Sequence, residues 1–224
     1  MTADGLVLPL VGERQSLREQ VAQALRDALV AGEMRPGLVY SAPVLAAQFG
    51  VSATPVREAM LDLAKEGLVE VVRNKGFRVT EMTDRDLDEL TQIRELIEVP
   101  TVARLAGSRP AADFEALRPV AEEIVAAAHS GDLLAYVNAD LRFHLGLLGL
   151  SGNAHLVEVV RGLRGRARLY GLRGLAERGA LVTSAGEHIA ILDALVGGDA
   201  AAAERVMSRH IRHVRGIWAD QPEE

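Results

Sequence analysis

Residues 51–70 read Val-Ser-Ala-Thr-Pro-Val-Arg-Glu-Ala-Met-Leu-Asp-Leu-Ala-Lys-Glu-Gly-Leu-Val-Glu. Ser52 or Thr54 is suited to cap a helix, and Pro55 is tolerated in a first turn, where backbone N–H groups have no helical partner. Gly67 is suited to end the helix as the residue beyond its last turn. Apolar side chains fall on one side and Arg57 falls on the other, so the stretch predicts an amphipathic helix with a basic exposed face.

The flanking sequence adds the elements that usually accompany such a helix. A capping box at Ser16 predicts a helix that runs to Gly32, and residues 41–49 predict a second, shorter one. Residues 68–72 and 76–80 alternate like two strands joined by a tight turn. The order helix, helix, helix and hairpin predicts a winged helix-turn-helix with a small β-hairpin wing, for which double-stranded DNA is the first partner to consider.

The charge distribution agrees with DNA binding although the whole chain carries −6. Residues 1–80 hold nine basic and nine acidic residues, and residues 71–80 hold three basic residues and no acid. Arg57 can bond a guanine or a phosphate, and Thr54 can reach a phosphate or a thymine methyl. The predicted wing contacts, to the minor groove or to phosphates, are those of Arg73, Lys75 and Arg78, with Gly76 allowing close approach at the tip.

After Met82 the strand patterns stop and apolar residues recur at helical spacing. The predicted segments are 84–105 (bent at Pro100), about 111–130, 133–151, 154–178, 184–196 and 199–218. The chain is therefore predicted to be mainly α. Residues 1–82 form the DNA-binding domain and residues 83–224 an antiparallel bundle of about six helices.

One acidic residue and three histidines have the spacing of a metal site. Asp140 and His144 are four apart on one helix face, and His188 and His210 lie at similar distances on either side of the turn at Gly198. If the two helices fold back on each other, these four side chains can hold zinc, nickel or manganese, and a divalent ion there would attract an anion. The alternative is a hydrogen-bonded Asp–His pair and two structural histidines.

The N-terminal segment resembles the GntR family of bacterial transcription regulators. The resemblance rests on Ser-Ala-Thr-Pro-Val-Arg-Glu-Ala at 52–59, Leu-Ala-Lys-Glu-Gly-Leu at 63–68 and Gly-Phe-Arg-Val at 76–79. It implies a homodimer on a palindromic operator, more commonly a repressor, with Arg57 as the retained DNA contact. The sequence departs from the family pattern at Ala53, where the family usually has Arg.

The C-terminal segment resembles the FCD effector domain of the FadR-like branch of that family. The matching pieces are Asp-Leu-Arg-Phe-His at 140–144, Ser-Gly-Asn at 151–153, Glu-His at 187–188 and Met-Ser-Arg-His at 207–210. The resemblance implies a metal held by Asp140, His144, His188 and His210, and a small carboxylate effector. It also implies Arg94 as an effector contact, although a pair with Glu98 four residues later is an equal alternative.

Two further interpretations concern function and location. A metal-dependent hydrolase is the alternative from another class, with Glu187 as its one candidate base; no Gly-x-Ser-x-Gly motif accompanies it. The sequence has no cysteine, no signal peptide pattern and no apolar run long enough for a membrane span, so a cytoplasmic protein is expected.

Overall fold

The computed structural model describes residues 16–167 and 180–218. Its N-terminal part comprises three helices and three short strands. In chain order these are α1 Leu17–Val30, β1 Val39–Tyr40, α2 Ala42–Phe49, α3 Ala53–Lys65, β2 Val69–Val72 and β3 Gly76–Val79. The predicted helix-turn-helix and wing are thus present in the predicted order.

Local signals set the ends of these helices. Ser16 and Glu19 form the reciprocal capping box before α1, and Gly50 ends α2 in the left-handed conformation. Apolar side chains of the three helices and the sheet form one core, which includes Leu25, Met60 and Val79. The resulting domain has α1 packed on α3.

The wing is a three-stranded antiparallel sheet in the order β1-β3-β2, whereas the sequence predicted only a hairpin. The two residues of β1 pair with Arg78 and Phe77. A Cβ atom on Gly76 would lie 2.3 Å from the Tyr40 carbonyl oxygen, and Gly76 has φ +138°. Glycine is therefore required here so that β1 can approach β3.

The C-terminal part contains seven helices within the described residues. They are α4 Asp84–Leu105, α5 Ala111–Glu115, α6 Arg118–Ser130, α7 Leu133–Gly149, α8 Ala154–Ala167, α9 Ala180–Val196 and α10 Ala200–Trp218. The prediction of one helix over 111–130 is wrong, because a new helix begins at Arg118 with Pro119 in its first turn. Proline lacks the N–H that an uninterrupted helix would need at that position.

These helices enclose a second, larger core. α4 packs on α10, α6 on α7, and α9 on both α6 and α10. Phe114, Phe143 and Ile191 are among its fully buried side chains, and Val30 at the end of α1 also packs against it. Of the helices described, none has the length and apolar character needed to cross a membrane.

Candidate metal centre and DNA-binding surface

The structure brings the four predicted ligands together. Asp140 and His144 lie one turn apart on α7, His188 lies on α9 and His210 on α10. One possible ligand atom from each residue lies within 4.8 Å of the others, and the His188 and His210 rings are 4.5 Å apart. The antiparallel pairing of α9 and α10 therefore sets the two imidazoles side by side, as the spacing around Gly198 predicted.

Hydrogen bonds fix which ring nitrogens face the centre. The Nδ1 atom of His188 is 3.1 Å from the Ala185 carbonyl oxygen, and Nδ1 of His210 is 2.9 Å from the Glu187 carboxylate. Because both partners are acceptors, each Nδ1 carries a proton, and the Nε2 atoms of His188 and His210 are the ring atoms that face the centre and can offer lone pairs to a cation. The sequence alone did not indicate these orienting bonds.

The inward atoms make close contacts that hydrogen bonds cannot all satisfy. His188 Nε2 lies 3.2 Å from Asp140 Oδ1, and both atoms are acceptors. His144 Nε2 lies 3.2 Å from His188 Nε2 and 3.1 Å from His210 Nε2. A proton on His144 can bridge only one of these contacts, whereas a cation between the four atoms would satisfy every lone pair. The donor set therefore fits a first-row metal ion.

The protonation states also suit metal binding. Burial lowers the pKa of His144 well below its usual value, and burial together with His188 lowers the pKa of His210 to about 4. Burial alone would raise the pKa of Asp140, but the neighbouring His144 and Arg164 side chains outweigh it and hold the pKa well below its usual value. At neutral pH, Asp140 is ionised and the His144 and His210 rings are neutral, as metal ligands must be.

A buried ionic network lies behind the ligands. Arg164 bonds Asp140 at 3.3 Å and Glu98 at 2.6 Å, and Arg94 bonds the other Glu98 oxygen at 2.8 Å. The Arg94–Glu98 pair of the alternative interpretation is thus present, but both side chains are buried rather than on the surface. The effector contact of Arg94 stays a prediction.

Arg164 is the residue that the sequence did not single out. The sequence has a run of four arginines at alternate or near-alternate positions, of which most are expected to be solvated: Arg161, Arg164, Arg166 and Arg168. Arg168 lies outside the described residues. The Arg164 side chain is instead only 4% exposed. Its location could not be predicted from the run, because the buried acids that stabilise it come from two other helices.

The Glu187 carboxylate lies where it can orient two histidine rings. Its two carboxylate oxygens lie 2.9 Å from His210 Nδ1 and 3.2 Å from His213 Nδ1, and Arg209 forms a further ion pair at 3.4 Å. A carboxylate that already accepts from two imidazoles is occupied in orienting a ligand. This arrangement gives the hydrolase alternative no support from its one candidate base.

The predicted DNA contacts lie on α3 and on the wing of the DNA-binding domain. Thr54 and Arg57 are exposed in the first two turns of α3, and Ala53, where the family usually has Arg, packs against the core of this domain. The basic side chains predicted to contact DNA from the wing are also exposed, and they pair with no acid among the described residues: Arg73, Lys75 and Arg78. Lys65, in contrast, pairs with Asp62.

Comparisons with known proteins cover both parts of the chain. The family model for bacterial regulatory proteins of the gntR family matches residues 17–79, and that for the FCD domain matches residues 89–213. A "probable D-xylose utilization operon transcriptional repressor" of Paenarthrobacter nicotinovorans is 32% identical over 87% of each chain. An uncharacterized HTH-type transcriptional regulator of Streptomyces ambofaciens is 31% identical over 88% of this chain and 83% of its own.

The solved structure of E. coli McbR/YncC superposes with a TM-score of 0.79 at 28% identity, covering 92% of this chain and 99% of that one. A putative GntR regulator from Rhodococcus gives a TM-score of 0.73 at 25% identity, with 92% and 99% covered. These relatives are transcription regulators and not enzymes. With the winged helix-turn-helix and the helical domain in the same order, the chain belongs to the GntR family of bacterial transcription regulators and carries an FCD domain.

Proposed function

We propose that this regulator is a cytoplasmic repressor that binds a palindromic operator as a homodimer. A small carboxylate effector, bound at a divalent metal ion in the FCD domain, controls its affinity for DNA. We propose that the boundary between the two domains lies between residues 82 and 83. Repression is favoured by the relative from Paenarthrobacter, whose name describes a repressor.

The convergence of one carboxylate and three imidazoles is the observation that carries the proposal. Zinc is the preferred ion because it accepts nitrogen and carboxylate ligands and can expand from four to five ligands. Nickel and manganese remain within the chemistry of this donor set. Asp140, His144, His188 and His210 would hold the ion, which would supply a positive charge and an additional coordination position for the effector.

The charges and donors near the site favour an anionic effector. The ion would add two positive charges to a buried network in which Asp140 and Glu98 only balance Arg94 and Arg164. Nη2 of Arg94 is a buried donor without a hydrogen-bond partner among the described residues. Since an unsatisfied buried donor costs free energy, a bound carboxylate would stabilise it.

Metal analysis of the purified protein tests the site. The changes His144→Ala, His188→Ala and His210→Ala are each expected to reduce bound zinc sharply after dialysis against a zinc buffer. His155→Ala is the matched control, because His155 is exposed and outside the group. Full zinc occupancy in the three variants, or none in the unchanged protein, would contradict the proposal.

The DNA-binding surface is tested with a duplex recovered by this protein from a random-sequence library. Arg57→Ala is expected to reduce the affinity about five- to 150-fold, since a good bidentate contact contributes about 1–3 kcal/mol. Arg109→Ala is the control, an exposed arginine in the other domain. Equal affinities of the two variants in a gel-shift titration would contradict the assignment of α3 as the recognition helix.

The homodimer has support from an apolar surface on α4. Leu96 is 71% exposed and Ile93 is 42% exposed, which is unusual for large apolar side chains so close together. A second copy covering this surface would bury both. Leu96→Glu is expected to shift the sedimentation coefficient towards that of a monomer, and an unchanged dimer would place the interface elsewhere.

A further inference from the structure

Helix α8 contacts the candidate metal centre with one residue and the DNA-binding domain with the residues around it. Arg164 bonds the ligand Asp140 and the α4 residue Glu98. The next residue, Gly165, points about 100° away around the helix, and a Cβ atom there would lie 3.8 Å from Leu68 of the winged domain. Consecutive residues of α8 therefore contact the candidate metal centre and face the DNA-binding domain.

The contact with the winged domain also includes Arg166, the residue after Gly165. The Arg166 side chain lies over Gly67: a Cβ atom added to Gly67 would lie 2.8 Å from the Cδ atom of Arg166. Gly67 and Leu68 join α3 to β2, so they connect the recognition helix to the wing. Movement of α8 against this turn would reach both DNA-contacting elements.

A cleft of about 240 Å³ lies between the two parts at the same place. Arg26, Leu29 and Glu66 of the winged domain line one side, and Leu141 and Arg161 line the other. The contact is therefore not a fully packed core, and its two sides can shift by small amounts without opening large voids. Such an interface suits two alternative dockings of the DNA-binding domain.

We infer that Arg164 is a positioning residue that couples the metal centre to the docking of the DNA-binding domain. It orients Asp140 for the metal, and its guanidinium is held by Glu98 on the opposite side. A metal or effector that changes the position of Asp140 moves Arg164, and α8 passes the change through Gly165 and Arg166 to Gly67 and Leu68. The inference rests on the proposed metal-responsive function and adds its route.

The coupling is separable from metal binding because Gly165 does not belong to the metal site. Gly165→Leu places a large side chain against Leu68 and is expected to separate the domains there. Gly162→Leu is the matched control on the same helix, since a Cβ atom at Gly162 meets nothing within 4 Å. Both changes replace a helical glycine by a good helix former, so both variants are expected to fold.

The experiment measures zinc affinity and backbone hydrogen exchange, with zinc as the only ligand. In the unchanged protein and in Gly162→Leu, zinc is expected to slow exchange at the Leu68 amide by about fivefold or more, the lower end of typical coupling. The Val51 amide, in the turn between α2 and α3, is the internal reference. In Gly165→Leu, zinc is expected to bind within about threefold of the normal affinity but no longer to slow exchange at the Leu68 amide. This result would show that the coupling is lost while metal binding is kept.

A second variant tests Arg164 itself. Arg164→Lys keeps the charge but loses the fork that holds both Glu98 and Asp140, so zinc affinity is expected to fall about tenfold and the protection of Leu68 to disappear. Zinc that binds without protecting Leu68 in the unchanged protein would overturn the coupling, as would zinc-dependent protection retained in Gly165→Leu. Failure of zinc to bind the unchanged protein would instead overturn the proposed function.

Discussion

Replacing Glu187 by glutamine tests whether the metal ligands depend on their orienting partners. The carboxylate accepts from His210 Nδ1 at 2.9 Å and from His213 Nδ1 at 3.2 Å. Glutamine has one carbonyl oxygen and an NH₂ group that cannot accept, so it cannot accept from both histidines, and it lacks the negative charge that makes His210 a more basic ligand. Loss of such a partner typically weakens metal binding about 10- to 100-fold, which corresponds to about 1.4–2.7 kcal/mol.

The assay is competition for zinc against a chromophoric chelator of known affinity at pH 7. Glu204→Gln is the matched control, because Glu204 is exposed on the same helix as His210. Melting of both variants without metal, followed by circular dichroism, establishes that they are folded. A folded Glu187→Gln protein whose zinc dissociation constant is within twofold of the control would refute the argument that Glu187 orients His210.

Three further outcomes are expected. Gly76→Ala should destabilise the protein by about 2 kcal/mol or more in urea unfolding, because of the clash with Tyr40 and the left-handed backbone; Gly50→Ala, with open space around it, should cost about 1 kcal/mol, and equal losses would count against the clash. Chelation of zinc present at about 100 times its dissociation constant should remove about 2.7 kcal/mol, seen as a melting temperature lower by about 5–10 °C; an unchanged melting curve would be inconsistent with a bound ion. The metal-free protein should lose up to about 3 kcal/mol as the pH falls from about 6.5 towards 4, since the pKa of His210 is about 4 in the folded chain and about 6.5 in the unfolded one, which therefore takes up the proton first; urea unfolding at pH 7 and 4.5 measures it, and His210→Gln should reduce the loss.

The winged domain was predictable because its signals are local. Ser16 and Glu19 cap α1 through neighbours in the sequence, and Gly67 and Asn74 adopt the left-handed conformation that their turns require. The predicted metal ligands were found by spacing and by resemblance to a known domain. The antiparallel pairing of α9 and α10 then brings His188 and His210 together, and the packing of the bundle places Asp140 and His144 of α7 beside them.

The elements that were missed depend on partners distant in the sequence. The two residues of β1 form a strand only because β3 offers an open edge, and no pattern of two residues can predict that. Arg164 is buried because Glu98, 66 positions earlier, accepts its hydrogen bonds. A short sequence window around β1 does not include β3, and one around Arg164 does not include Glu98.

Burying the ionic network of Arg94, Glu98 and Arg164 costs desolvation free energy, and the packing of the core gives no reason for that cost. Apolar replacements of buried ion pairs are often neutral or stabilising, so Arg94, Glu98 and Arg164 are not required to make the bundle stable. They are explained by the metal site that they adjoin: Arg164 favours the ionised form of Asp140, and Glu98 offsets part of the positive charge of the two guanidinium groups, which would otherwise oppose a metal ion more strongly. A variant with all three replaced by apolar residues is therefore expected to keep or gain stability while its zinc affinity falls. The opposite result, a large loss of stability with normal zinc binding, would show that the network serves the fold rather than the metal.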